Sequence, residues 1–258
     1  MRLKVTGVLA AGLLVGGGGA VLAQSGTAQN SRIAQDQGGL VVAPLQVDRT
    51  ATAGATNSLT VENRSKEALS IEVKARPWTV SGAGDVAPNR RSTLGGVTVT
   101  GGTFTLAPGQ ARNVTVALGG VPAGGSLYGA LEVVGLPADI AKRKGVITGY
   151  RLVGPLRYQP AVKRYALKAG TVKVSKGNVV LPVRSSGNTN AAVSASATFK
   201  SATGTRRASA RVPVLPGKQV SIELVSAKKL PAGTYTTTVT LKQGTLTTQV
   251  KKTLRVKR

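Results

Sequence analysis

The chain writes nearly the same passage twice. "LAPGQARNVTV" begins at Leu106 and is followed by "PAGGSLYGALEVVG" from Pro122. "VLPGKQVSIEL" begins at Val214 and is followed by "PAGTYTTTVTLKQG" from Pro231. The Pro-Gly pair at Pro108 thus returns 108 residues later at Pro216, and a Pro-Ala-Gly corner follows each. Proline presets φ at the first position of a turn and glycine supplies a positive φ, so both phrases are corners between strands. An Asn-rich turn precedes each, "ENRSKEAL" at Glu62 and "SSGNTNAAV" at Ser185. A passage repeated at this interval marks two units of about 100 residues, each large enough for its own core.

The hydrophobic period within each unit is two. In "TYTTTVTLK", Tyr235, Val239 and Leu241 share one face, and Thr234, Thr236, Thr238 and Thr240 share the other. Leu246, Val250, Leu254 and Val256 alternate in the same way with Thr247, Gln249, Lys251, Thr253 and Arg255. Leu69, Ile71 and Val73, then Val114, Val116 and Leu118, then Val193, Ala195, Ala197 and Phe199 repeat the pattern. This is the signature of strands with one buried face. Short strands with turn signals every 8 to 12 residues predict an all-β chain of two tandem immunoglobulin-like sandwiches. The only helical signal is one turn within "LPADIAKRK" from Leu136. The expected units are residues 38–158 and 159–258. "GSLYGALEV" puts Leu127, Leu131 and Val133 inward and Tyr128 outward, whereas Tyr235 is expected inward. Trp78, the single tryptophan, is expected to lie across a sandwich core.

Residues 1–23 read as a secretory signal: Arg2 and Lys4, an uncharged run from Val5 to Leu22, and small residues Val21 and Ala23 before the cut. The alternative, an uncleaved anchor, is weakened by Gly16 to Gly19. Residues 24–37 are polar and expected to be disordered. The mature chain is then exported, to a periplasm or a cell surface, with no integral membrane segment. There is no cysteine and no histidine. Histidine triads, most zinc sites and the commonest general base are therefore absent, and the nine carboxylates form no recognisable pair. No catalytic residue, metal or cofactor is expected.

Charge separates the two units. Residues 24–158 carry 14 Lys and Arg against 8 Asp and Glu, but residues 159–258 carry 19 against Glu223 alone. Such a field attracts polyanions. Aromatic content of 3% is too low for base-stacking platforms, so nucleic acid is not the expected partner. Anionic envelope polymers or lipid head groups fit an exported chain better. Arg206, Arg207 and Arg211 around "GTRRASAR", with Lys251 and Arg255 in the last strand and Lys257 beyond them, are the candidate contacts. Solubility alone is the competing explanation.

"LQVDRTA" from Leu45, "LAPGQARNVTVALGGVPAGGSLYGALEVVGLP" from Leu106 and "PLRYQPA" from Pro155 resemble the periplasmic pilus chaperones of the PapD type. The resemblance covers much of residues 38–160. It implies an assembly factor for pilin-like subunits that adds its last first-domain strand to a subunit's open sheet. It also implies two basic anchors for the subunit's C-terminal carboxylate. The sequence departs from the family at both: Ala51 stands after Thr50 where an arginine belongs, and Pro155 stands where a lysine belongs. Arg49 and Arg157 lie nearby and are read as facing away from those positions. The candidate donor strand is Gly145 to Val153, with Ile147, Gly149, Arg151 and Val153 on the partner-facing side. Two functions stay open: subunit chaperone, or envelope-bound module held by its cationic second unit.

Overall fold

A computed structural model describes residues 39–80 and 86–257; the expected signal and the polar segment after it lie outside the described residues. Ten strands precede the linker: β1 (Leu40–Ala43), β2 (Val47–Thr50), β3 (Thr56–Asn63), β4 (Leu69–Val80), β5 (Val86–Pro88), β6 (Val97–Thr100), β7 (Thr103–Leu106), β8 (Ala111–Leu118), β9 (Leu127–Pro137) and β10 (Tyr150–Gln159). Eight follow it: β11 (Leu167–Ala169), β12 (Lys173–Ser175), β13 (Asn178–Ser185), β14 (Ala192–Ser201), β15 (Gly204–Pro213), β16 (Gln219–Ser226), β17 (Gly233–Gln243) and β18 (Leu246–Val256). Helix among the described residues is limited to two 3₁₀ turns, Ile140–Lys142 and Ala227–Lys229. The first falls in the stretch where the sequence suggested one turn.

The strands form two tandem immunoglobulin-like sandwiches. In the first, β1-β3-β8-β6 faces β2-β10-β9-β4-β5, with β7 also on β4. In the second, β11-β13-β12 with β16 on β13 faces β15-β14-β17-β18. Antiparallel β3–β8 in the first corresponds to β13–β16 in the second, and β4–β9–β10 corresponds to β14–β17–β18. The cores follow from alternation. Leu59, Val61, Ile71, Val116, Leu118, Leu131 and Leu156 are sealed in the first, and Leu181, Phe199, Ile222, Val239 and Leu241 in the second.

The duplicated phrases have duplicated hydrogen bonds. Gly109 N–H donates to Asn63 O at 2.7 Å, and Gly217 N–H to Ser185 O at 2.9 Å. In return Asn63 N–H donates to Gln110 O at 2.9 Å, and Ser185 N–H to Lys218 O at 3.1 Å. Each Pro-Gly corner is thereby clamped to the end of an earlier strand. Both glycines have φ above +70°, the left-handed region that a side chain disfavours. The tyrosines after the second corners diverge as expected. Tyr235 is buried and its hydroxyl donates to Pro231 O at 2.8 Å, closing its own corner. Tyr128 faces out of the sheet.

Candidate functional site

Strand β10 is the element on which the first sandwich's exposed chemistry converges. It pairs with β9 along Tyr150–Tyr158, but parallel β2 covers its other side only at Leu156–Gln159. Among the described residues, the part from Tyr150 to Val153 therefore has no strand partner on that side, while Leu45 of the segment joining β1 to β2 lies against Gly154. Such an edge presents unpaired N–H and C=O groups, the template that strand addition uses. The expected donor strand, Gly145 to Val153, is shifted: residues 145–149 are loop and the strand begins at Tyr150. Ile147 and Gly149, expected on the partner side, are buried; a Cβ on Gly149 would lie 2.5 Å from the Leu136 side chain. Arg151 and Val153 do lie on the outer face of the edge, and Val153 is exposed. On the inner face, Tyr150 and Leu152 are half-buried against the core that contains Leu40 and Val133.

The outer face carries a charged knot. Glu132 on β9 sits opposite Val153 and is only 2% exposed. Arg151 Nε donates to its Oε1 at 2.7 Å and Arg76 Nε to its Oε2 at 2.9 Å, while Arg90 Nε stands 3.4 Å away. Burial raises the Glu132 pKa, but the hydrogen bonds and charges of Arg151 and Arg76 outweigh it and hold the carboxyl below its ordinary value. Three guanidiniums about one carboxylate leave the knot net positive. A cavity of about 400 Å³ lined by Arg76, Arg90, Arg151, Leu136 and Tyr150 opens beside it, next to the free edge.

Four residues along β9 from Glu132, on the same face, a row across four strands ends at the second sandwich. Asp48 on β2 is in register with Arg157 on β10, and Arg157 with Tyr128 on β9. Trp78 on β4 stacks on Tyr128, with ring centroids 6.4 Å apart and planes at 13°. Trp78 therefore does not lie in a core. It shares parity with Glu72, Lys74 and Arg76, while Ile71, Val73 and Ala75 take the buried side. The signal was in the sequence, but the usual burial of tryptophan outweighed it. Tyr128 Oη lies 3.0 Å from Gln159 Oε1 and 3.3 Å from Asn188 O of the second sandwich. Burial raises its pKa above the ordinary phenol value.

The two family anchor positions can now be placed. Ala51 is buried and Pro155 is uncharged, so neither supplies a cation. The expectation that Arg49 and Arg157 face away from those positions is corrected, because residues two apart on a strand share a face. Arg157 lies on the same outer face as Pro155, two register pairs away. Its Nη1 is 3.5 Å from Asp48 Oδ2, and its Nε is buried without a hydrogen-bond partner. Arg49 is exposed at the sandwich rim and donates to Asn57 Oδ1 at 3.1 Å. Sequence reasoning found Arg49, Arg151, Val153 and Arg157, but missed Glu132, Arg76, Arg90, Asp48 and Gln159. No spacing rule brings these five to one face.

In the second sandwich the six cationic candidates divide. Arg207, Thr198, Thr238 and Lys251 form one row across the outer face of β15-β14-β17-β18, and Arg211 and Arg255 share that face. Arg206 is opposite Phe199 and so lies on the inner face, and Lys257 lines a cleft with it at one end of the sandwich. The six groups do not form one surface. Among the described residues no cation of residues 159–257 makes an ion pair, whereas all eight ion pairs lie in the first sandwich.

No protein-family model matches the chain, and no curated protein matches it in sequence. Solved structures do resemble it. A chain of a chaperone–tip adhesin complex of CFA/I fimbriae biogenesis is 15% identical, with 83% of this chain and 98% of that one covered and a TM-score of 0.55. The class 5 fimbriae chaperone CfaA has the same identity and coverage at a TM-score of 0.45. The Escherichia coli chaperone DraB is 15% identical over 84% of this chain and 96% of its own, at a TM-score of 0.41. The likeness is one of fold across both sandwiches. Among the described residues, no helix is long and apolar enough to cross a membrane.

Proposed function

We propose that this chain, which has the two-sandwich fold found among fimbrial chaperones, is an exported, non-catalytic assembly factor. It binds a pilin-like subunit by strand addition along the free edge of β10. One observation carries the reading: among the described residues Tyr150–Val153 is an unpartnered strand edge, with half-buried Tyr150 and Leu152 on one face and exposed Val153 on the other. Main-chain hydrogen bonds would supply affinity, and the alternating side chains would supply selectivity. Arg157, whose side chain is about a third exposed and whose Nη1 among the described residues meets only Asp48 at 3.5 Å, is the group that would meet a subunit carboxylate.

The test is coexpression with a pilin-like exported subunit of the same organism, scoring its soluble accumulation. The Leu152→Asp, Val153→Asp double variant should abolish accumulation, and Val153→Asp alone, at an exposed position, should reduce it while melting near the parent. Arg157→Gln should reduce it at least about tenfold, the worth of one lost charged hydrogen bond. Undiminished accumulation in the double variant would refute the edge as the binding site.

A second reading is favoured by the outer face of β15-β14-β17-β18, where Arg207, Arg211, Lys251 and Arg255 stand among serines and threonines with no acid. There the chain would rest on an anionic envelope polymer through point charges. Retention on an anionic matrix should then fall steeply as salt shortens the Debye length below roughly 10 Å. Salt-resistant retention would count against it.

A further inference from the structure

A second concentration of unbalanced charge lies in the second sandwich, at the end away from the linker. Strand β13 runs from this end, at Gly177 and Asn178, to Ser185 and then to Asn188, which meets Tyr128 of the first sandwich. Eight strand residues separate the two ends by about 25 Å. A cleft of about 480 Å³ opens there. Arg206, Lys228, Lys229 and Lys257 line it, with buried Leu230 and Val256 beneath.

The fold brings these four cations together from three separate segments. Arg206, unlike its neighbour Arg207, is on the inner side of β15, in register with Phe199. The 3₁₀ turn Ala227–Lys229 sets two consecutive lysines beside it and is fixed by Ala227 N–H donating to Gly177 O at 2.8 Å. Strand β18 ends at the same place with Val256, and Lys257 follows it. Among the described residues no carboxylate lines the cleft. Glu223, the one acid of this sandwich, instead accepts a hydrogen bond from Asn178 Nδ2 at 3.0 Å. Four like charges around one concavity repel each other in the free protein, and a bound anion removes that repulsion.

We propose that this cleft is a discrete binding site for a compact, multiply charged phosphate group. Several acceptor oxygens and more than one negative charge match a guanidinium and three ammoniums better than a lone carboxylate does. The cleft far exceeds one inorganic phosphate, which displaces only a few waters of ~30 Å³ each. Its apolar floor suits a ligand larger than one phosphate. A soluble diphosphate and a phospholipid head group share this chemistry. The site is independent of the β10 edge and of any subunit bound there.

The whole chain is titrated calorimetrically with pyrophosphate in about 150 mM salt, where exposed charges are screened beyond ~8 Å. It is separately sedimented with phosphatidylcholine vesicles, with and without phosphatidylglycerol. One saturable site per chain is expected. The Lys228→Ser, Lys229→Ser, Lys257→Ser variant should lose at least about tenfold in affinity, as expected for charge-assisted hydrogen bonds. A Lys163→Ser, Lys168→Ser, Lys218→Ser variant, with the same change in charge at the opposite end of this sandwich, should bind like the parent. Pyrophosphate binding without vesicle binding identifies a soluble ligand. Sedimentation that depends on phosphatidylglycerol and is lost in the first variant identifies a head group. Absence of binding to either probe, or equal weakening in both variants, overturns the proposal.

Discussion

Glu132 shows how one buried charge organises a surface. It is sealed on the outer side of its sheet and made tolerable there by Arg151 and Arg76. Glu132→Gln would leave those guanidiniums half-buried without their counter-charge. A loss of about 2–3 kcal/mol is expected at neutral pH, below the range for a fully buried pair because both arginines keep some solvent. Its folded pKa is depressed below 4.5, so the stability it contributes is complete above its unfolded pKa and lost as pH falls through the folded value. Denaturant titrations of parent and variant should therefore differ most at neutral pH and converge in acid. A constant gap down to pH values well below 4.5 would contradict this assignment. Gly154 is a second sensitive position, for steric reasons. The segment joining β1 to β2 crosses it so closely that a Cβ would lie 1.9 Å from Leu45 O. Gly154→Ala should cost at least about 2 kcal/mol by overpacking, measured by urea unfolding. A neutral result would show that the crossing segment yields.

Turns and edges govern behaviour at the scale of elements. Strands β12 and β13 are joined by a two-residue turn, Lys176 and Gly177, with φ of 50° and 79°. Both central residues of such a turn need positive φ, which favours Asn-Gly and strains lysine. Lys176→Asn should stabilise the chain by about 0.5–1 kcal/mol, visible as a raised thermal midpoint. An unchanged or lowered midpoint would mean that Lys176 has a compensating role. The edges differ in kind. Strand β15, at the edge of its sheet, carries Arg206, Arg207 and Arg211, and charge on an edge strand discourages pairing with another chain. The free part of β10 has one arginine, already engaged by Glu132, beside Leu152 and Val153. Of these two edges, the one on β10 lacks that protective charge.

Across the whole molecule, the two sandwiches share an architecture and differ in electrostatics. The first spends its acids on eight ion pairs; the second has a single acid and no ion pair among its described residues. A formal net charge of +26 makes self-repulsion a term in folding. Thermal midpoints should therefore rise as sodium chloride increases from about 0.01 to 0.3 M, as the Debye length shortens from roughly 30 Å to well under 10 Å. A falling midpoint over that range would place the ion pairs of the first sandwich above the repulsion of the second.

The duplicated Pro-Gly and Pro-Ala-Gly corners and the period of two were enough to derive paired sandwiches, the inward sets of β9, β17 and β18, and the opposite roles of Tyr128 and Tyr235. Those properties are local: a turn needs particular φ values, and a strand needs one apolar face. Asn63 and Asn188 were legible as turn residues, but only the fold makes them hubs. Asn63 Nδ2 donates to Glu67 O and Leu106 O, and Asn188 Nδ2 donates to Val162 O. The site was legible only in part. Arg151 and Val153 follow from alternation along one strand. The knot at Glu132 and the row from Trp78 to Asp48 depend on which strands become neighbours and in what register. A shift of one residue would move every one of these side chains to the other face. The division of the cationic residues into a flat face and a cleft has the same cause, since Arg206 and Arg207 are adjacent in the chain and lie on opposite sides of their sheet.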